Sequence, residues 1–384
     1  MITVGFSEQD PVLALGVIPV AIREWFGGHP HAVWPWGLDE LGEGTPEVLT
    51  MAYGDLNYEL LASLSPDLMI ATHAGITEEE YALLSAIAPT LPEPAEFPAF
   101  GVSWQDQTVL IGTAMGLAEE AEALVAETTS AVEATRDRHG GFGGATFAWA
   151  NPTGDGTYWV VGANTPPMRL LQDLGLTYPD EIAAVVGDLD SYELSGERIE
   201  LLDVDVLIMR ASPDQQAVFE DDPLWTALEV MAEGRILWLD TSDPIYGALS
   251  FTTILSIDYL LEELTPLIMA KVYPEQAAAM SAWAIVFDSN AEWALKAPHI
   301  EDSQNLEESN ENYRAGGETM GGFSLRPTQA VIEGDVATIT YDVLFGGSPA
   351  YTDLQGVIDL VDGTWVVSRD TYCGFLAQAR TPCG

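Results

Sequence analysis

The sequence predicts an α/β fold: two parallel-sheet lobes joined by a long helix, followed by a small α+β domain with an antiparallel sheet. Three observations predict it. Residues 57–89 read as a helix, a tight turn, a buried strand, a short loop and a second helix, which is one step of a parallel α/β sheet. A helix-period stretch rich in alanine and glutamate lies between two regions of this style. Beyond Pro274 the pattern changes to alternating strands separated by Glu333-Gly334 and Asp362-Gly363, both hairpin signals.

Residues 3–6 are the first predicted strand, 10–15 open a helix, and 16–20 lead into the next strand. The glycine-, proline- and tryptophan-rich run 27–47 is predicted to be a surface loop. The step that follows places a helix at 58–64, a turn at Ser65-Pro66-Asp67, a strand at 68–71 and a helix ending at Ala88-Pro89. Residues 89–98 are proline-rich and expected to be irregular. A single helix is expected over about 106–139, with Leu110, Ala114, Leu117, Ala121 and Leu124 inside and Glu119, Glu120 and Glu122 outside, ended by the glycine run 140–144. The second lobe is read as strands 146–150 and 158–161, then a helix at 166–174 with a proline in its first turn. Strand 204–210, helix 222–230, strand 235–239 and a long helix at 249–264 complete it. The last region carries a helix at 275–287, a polar stretch at 301–318, and strands at 328–333, 335–343, 356–361 and 364–369. The expected divisions are 1–105, 106–139, 140–272 and 273–384.

Composition narrows the function. The 384 residues hold 60 Asp and Glu against 13 Lys and Arg, a net charge of -47, with Lys271 and Lys296 the only lysines. Such a surface repels phosphate backbones, so nucleic acid is not an expected partner; a neutral or cationic ligand is compatible with it. The first residues already read as a core strand, no export signal is visible, and no apolar run is long enough to span a bilayer. Cys373 and Cys383 are the only cysteines. Their spacing suits a terminal loop closed by a disulfide in an oxidising compartment; two free thiols in a reducing one are the alternative. No GxSxG, no GxGxxG after the first strand and no P-loop is present, so no enzyme is expected. His29-Pro30-His31 lacks a third ligand in view and reads as exposed polar residues rather than a metal site.

In open parallel sheets ligands bind beyond the carboxyl ends of the strands. That rule selects Ser7, Gln9, Thr72, His73, Trp149, Asn151, Arg210 and the segment from Asp240 to Tyr246. Trp34, Trp36, Tyr53 and Trp104, on two further loops, and Arg169, in a predicted first helical turn, complete the candidate set. The tryptophans are either cleft-lining or loop-packing side chains. Arg210 is either a ligand contact or an ion-pair partner, and Arg169 either a contact or a surface residue.

The segments TVGFSEQDPVLALGVIPVAI, NYELLASLSPDLMIATHAGITEEEYALLSAIAPT, AMGLAEEAEALV, YWVVGANTPPMRLLQDLGL and LSGERIELLDVDVLIM, in this order over roughly residues 1–271, resemble the helical-backbone class of substrate-binding proteins that serve ABC importers. The resemblance is to its ferric-siderophore and vitamin B12 branch. LRPTQAVIEGDVATITYDVLFGG and GTWVVSRDTYCGFL resemble the C-terminal module of the mycobacterial low-molecular-weight antigen Mtb12. The resemblance implies a monomeric, exported actinobacterial receptor, either anchored in the cell envelope as a lipoprotein or secreted, with its leader outside these residues. It would hold a ferric siderophore between two lobes for an ABC permease, with no intrinsic cofactor. Glu59 and Glu197 stand at positions that resemble the family's permease-docking pair, with solvated surface charge as the alternative. The family often carries a ligand-binding arginine in the first lobe; here Tyr53 stands near that position, so a hydroxamate is expected over a strongly anionic catecholate. The alternatives are a haem or corrinoid receptor of the same fold, with His73, Tyr53 or Tyr246 as axial ligand, and an envelope interaction protein with no transport role.

Overall fold

The computed structural model describes residues 1–97, 100–381 and 383. The chain forms two compact units, Met1–Ile268 and Met269–Gly384.

In the first unit, β1 (Ile2–Thr3), β2 (Ala21–Arg23), β3 (Glu47–Leu49), β4 (Met69–Ala71) and β5 (Thr90–Pro92) form a parallel sheet in the order β3-β2-β1-β4-β5. Ile2, Ile22, Met69 and Ile70 are fully buried, as a sheet covered on both faces requires. β1 pairs with β2 on one side and β4 on the other, so the chain reverses direction across the sheet at β1 and opens a crevice at the carboxyl ends of β1 and β4. β5 falls where irregular chain is expected; Pro92 is tolerated because β5 is an edge strand. The 27–47 run holds two short 3-10 turns, Pro30–Ala32 and Pro35–Gly37, and a one-turn helix, Leu38–Leu41, before β3.

A long helix does join the lobes, Ala118–Arg138, but the stretch before it is a helix of its own, Trp104–Met115. Gly116 ends that first helix in the left-handed region at φ 76°, and the Leu117 N–H closes back on the Gly112 carbonyl at 2.7 Å. The single helix expected over 106–139 is corrected accordingly.

The second lobe carries β6 (Phe147–Pro152), β7 (Thr157–Val161), β8 (Ser191–Ser195), β9 (Val206–Arg210) and β10 (Ile236–Leu239), ordered β10-β9-β6-β7-β8. β10, β9 and β6 run parallel; β7 and β8 extend the sheet as antiparallel strands. The helix expected at 222–230 starts earlier, as Pro213–Asp221, because Ser212 and Gln215 form a capping box; only Glu229–Ala232 is helical beyond it. Pro244–Phe251 and Ile254–Val272 follow, separated by Thr252 at φ 43°.

The second unit packs helix Pro274–Phe287 against an antiparallel sheet of β11 (Phe323–Glu333), β12 (Val336–Phe345), β13 (Ser348–Val361) and β14 (Thr364–Val366), in chain order. Trp283, Phe287, Ile339 and Ile358 are at the centre of its core. The polar stretch forms helix Glu307–Glu318, and the final helix Arg369–Gln378 carries Cys373, joined to Cys383 by a disulfide. Among the described residues no helix is long and apolar enough to cross a membrane.

Candidate functional site

A cavity of about 720 Å³ opens at the carboxyl ends of β1, β2 and β4 on one lobe and of β6 on the other. Its first-lobe wall is Phe6, Trp25, Tyr53, His73 and Phe100; Trp149, Asn151, Val161, Pro166 and Tyr246 face them from the second lobe. Phe6 packs on Trp25 with centroids 5.5 Å apart, Tyr53 on Phe100 at 5.9 Å, and Trp149 edge-on to Tyr246 at 5.8 Å. These rings offer broad apolar faces with polar tips, suited to the rim of a rigid chelate.

A buried arginine sets the first-lobe wall. Arg23, last residue of β2, donates from Nε to the Met51 carbonyl at 3.1 Å, from one Nη to Val4 at 3.1 Å and from the other to Ala52 at 2.6 Å. Its guanidinium lies 4.3 Å from the Phe6 ring centroid. One side chain thereby fixes the end of β1 and the loop that presents Tyr53.

Below the aromatic wall lies a polar network. The Ser7 hydroxyl meets His73 Nδ1 at 2.7 Å, and His73 Nε2 lies 3.1 Å from the Phe100 carbonyl. A carbonyl can only accept, so the proton is on Nε2 and Nδ1 accepts from Ser7. Burial pushes the His73 pKa down to about 4, against the Phe100 hydrogen bond, so the ring is neutral. Glu8 is fully buried beneath it and accepts the His73 N–H at 2.7 Å and the Ser7 N–H at 3.2 Å. Burial pushes Glu8 up to about 7, with the His73 amide and Arg23 among the groups that oppose the rise. Gln107, on the helix leading to the lobe junction, donates to Ser7 and Thr72.

The candidates of the sequence reading fall into three groups. Tyr53, His73, Trp149 and Tyr246 line the cavity, with Asn151. Trp104 and Arg169 line an adjoining recess of about 260 Å³, and Arg169 reaches across to the Gly101 carbonyl at 3.4 Å. Trp34, Trp36 and Arg210 do not line the cavity. Trp34 and Trp36 stack with centroids 5.0 Å apart against Phe251, and Trp36 Nε1 donates to buried Asp10 at 2.8 Å, so they tie the 27–47 segment to the lobe junction. Arg210 donates to the Pro152 carbonyl at 3.3 Å, joining the carboxyl ends of β9 and β6. Gln9 is buried, and Asp240 accepts from Ser242 within its own turn. His73 has both ring nitrogens engaged, which leaves neither free for an axial haem ligand. His29 packs on Trp34 at 4.1 Å and His31 Nδ1 sits 3.3 Å from the Pro46 carbonyl. Glu59 and Glu197 are exposed.

Phe6, Trp25, Phe100, Glu24 and Asp190 line the cavity and were not among the candidates. Phe6 and Trp25 carry the same signal as His73, since each stands just beyond a strand end. Phe100 and Asp190 follow no strand that the sequence announces.

An open aromatic cavity between two α/β lobes joined by a helix is the geometry of a ligand-binding site. The chain belongs to the periplasmic binding protein family, which matches residues 14–242, and residues 273–383 match the C-terminal domain of low molecular weight antigen MTB12. A periplasmic solute binding protein from Mycobacterium smegmatis shares its fold with a TM-score of 0.63 and 29% identity, covering 71% of this chain and 92% of its own. PiaA from Streptococcus pneumoniae, in complex with ferrichrome, gives a TM-score of 0.63 at 23% identity over the same shares. FhuD2 from Staphylococcus aureus, with bound ferrioxamine B, gives 0.56 at 18% identity, covering 71% of this chain and 98% of its own. No curated protein sequence matches the chain.

Proposed function

We propose that this protein is an extracytoplasmic receptor that captures a ferric hydroxamate siderophore in the cavity between its lobes and delivers it to an ABC permease. The observation that carries the reading is the cavity lining: aromatic on both sides, with no arginine or lysine among its described residues. Three hydroxamates neutralise one ferric ion, whereas a tris-catecholate complex carries three negative charges. A wall without cations, in a chain of net charge -47, favours the first and repels the second. Tyr53 and Tyr246 hydroxyls and the Asn151 amide are the donors suited to hydroxamate oxygens. The similar folds with ferrichrome and ferrioxamine B support the class of ligand. Delivery to a permease, with Glu59 and Glu197 as exposed docking carboxylates, follows the family's pattern; charge-assisted pairing with arginine suits that role.

The test is a tryptophan-fluorescence titration with a ferric tris-hydroxamate, a ferric tris-catecholate and haem, each with an iron-free control. Saturable, iron-dependent quenching by the hydroxamate alone is expected. Tighter capture of the catecholate would reject the ligand class, and no saturable response to any of the three would reject capture.

A further inference from the structure

Among its described residues the cavity lining holds no arginine or lysine, and it carries two carboxylates, one from each lobe. Glu24 follows β2 directly and Asp190 precedes β8 directly, and both line the cavity. We infer that the ligand bears a positive charge outside its iron centre, and that Glu24 and Asp190 select for it. This rests on the ferric-hydroxamate reading and narrows it to chelates with a protonated amine.

The arginines nearest the cavity are engaged elsewhere. Arg23 gives its donors to the carbonyls of Val4, Met51 and Ala52, behind the Phe6 ring. Arg169 opens on the adjoining recess and donates to Gly101. His73 is neutral, with both nitrogens hydrogen-bonded. The two lining carboxylates therefore have no cation facing them within the cavity lining. On the Asp190 side the field is already crowded: Glu93 is pushed up to about 7, mainly by burial, with Glu8 and Asp190 adding to the rise. Glu24 accepts the Gly28 N–H at 2.8 Å through one oxygen, which holds it at the rim beside Trp25. Aromatic faces add to the attraction, because a cation over Trp or Tyr is stabilised by the ring quadrupole. A neutral chelate would make the aromatic contacts and leave this charge uncompensated; a chelate with one protonated amine would satisfy both.

Two complexes that differ in one charge test the point: a ferric linear tris-hydroxamate ending in a free primary amine, and the same complex with the amine acetylated. Titrated against the full chain by tryptophan quenching at low salt, the amine form should bind about tenfold more tightly. The preference should shrink in 0.5 M salt, as charge selection requires. In Glu24→Gln/Asp190→Asn, shown to be folded by its melting curve, the ratio between the two complexes should fall to within about twofold. Equal saturable binding of both complexes by the unmodified protein overturns the inference and leaves the ferric-hydroxamate reading standing. A preference that survives in the double variant overturns the assignment to these residues. Failure of both complexes to bind overturns the hydroxamate reading, and this inference with it.

Discussion

At the scale of single residues, the site is built on groups that water would normally solvate. Glu8 exists in its buried place only because residue 5 is glycine: a Cβ there would fall 1.9 Å from Glu8 Oε1. The folded protein holds the Glu8 proton more tightly than the unfolded chain does, with its pKa at about 7 against an ordinary 4.5. Its favourable contribution is therefore complete below about pH 4.5 and is lost as the pH rises through 7. His73 runs the other way, gaining stability between about pH 4 and 6.5 as the unfolded imidazole loses its proton. Glu8→Gln isolates the first effect. The amide adds some constant cost by turning an NH2 group toward the Ser7 or His73 N–H. The pH-dependent part should disappear: the stability difference between Glu8→Gln and the parent should move in favour of the variant by on the order of 3 kcal/mol between pH 4 and pH 8. Urea melts of both proteins across that range measure it, and parallel pH profiles would refute a buried, titrating Glu8.

At the scale of elements, the sharpest departure from expectation is the break before the connecting helix. The apolar period runs through it, and periodicity alone predicts one helix. Two glycines decide otherwise. Gly116 takes the left-handed conformation, and Gly112 lets the second helix start close by, since a Cβ there would lie 2.4 Å from the Ala121 Cβ. Gly116→Ala should cost about 1 kcal/mol through the left-handed backbone alone. Gly112→Ala should cost about 2 kcal/mol, because it also drives the two helices apart. Denaturant midpoints give the order, and a Gly116→Ala variant more damaging than Gly112→Ala would contradict the packing account. The same contrast explains what the sequence could reveal. The helix–strand–helix step at 57–89 was legible because local groups mark it: Asn57 caps one helix by accepting the Leu60 N–H, and Thr77 and Glu80 form a capping box at the next. His73 and Trp149 followed from strand ends. The sequence left Trp34 and Trp36 open between lining and packing, because what they pack on, Phe251, lies more than two hundred positions away. Glu8 escaped because the strand-end rule selected its neighbours Ser7 and Gln9, while its own side chain turns inward, beneath the cavity.

At the scale of the whole molecule, the two units carry opposite titration signatures, and that makes them separable in solution. The first holds Glu8, Asp10 and Glu93, each pushed upward chiefly by burial, so its stability changes below neutral pH. The second holds Lys296, which burial pushes down to about 8 although Asp288 and Glu311 pull the other way. Its Nζ donates to Asn310 Oδ1 at 2.9 Å and lies 5.1 Å from the Tyr313 ring centroid. A lysine with a depressed pKa binds its proton less tightly in the fold than in the unfolded chain, so stability rises with pH from about 8 toward the ordinary 10.5. The window closes near pH 10, where Tyr313 and Tyr372, both raised mainly by burial, resist the ionisation that the unfolded chain undergoes. Few other side chains titrate between these limits, because the chain has only one other lysine, Lys271, which burial also lowers. Calorimetry of the full chain at pH 8 and pH 9.5 should therefore raise the melting of the second unit, by roughly 2 kcal/mol at fixed temperature, and leave the first nearly still. Lys296→Met should remove most of that rise, leaving the part that Lys271 of the same unit supplies, and so assign the transition to its unit. A pH response identical in the variant would show that Lys296 is already neutral at pH 8 or is solvated in solution. The ferric chelate supplies the complementary label: it should raise only the transition that Lys296→Met leaves untouched, because its site is built wholly from residues of the first unit.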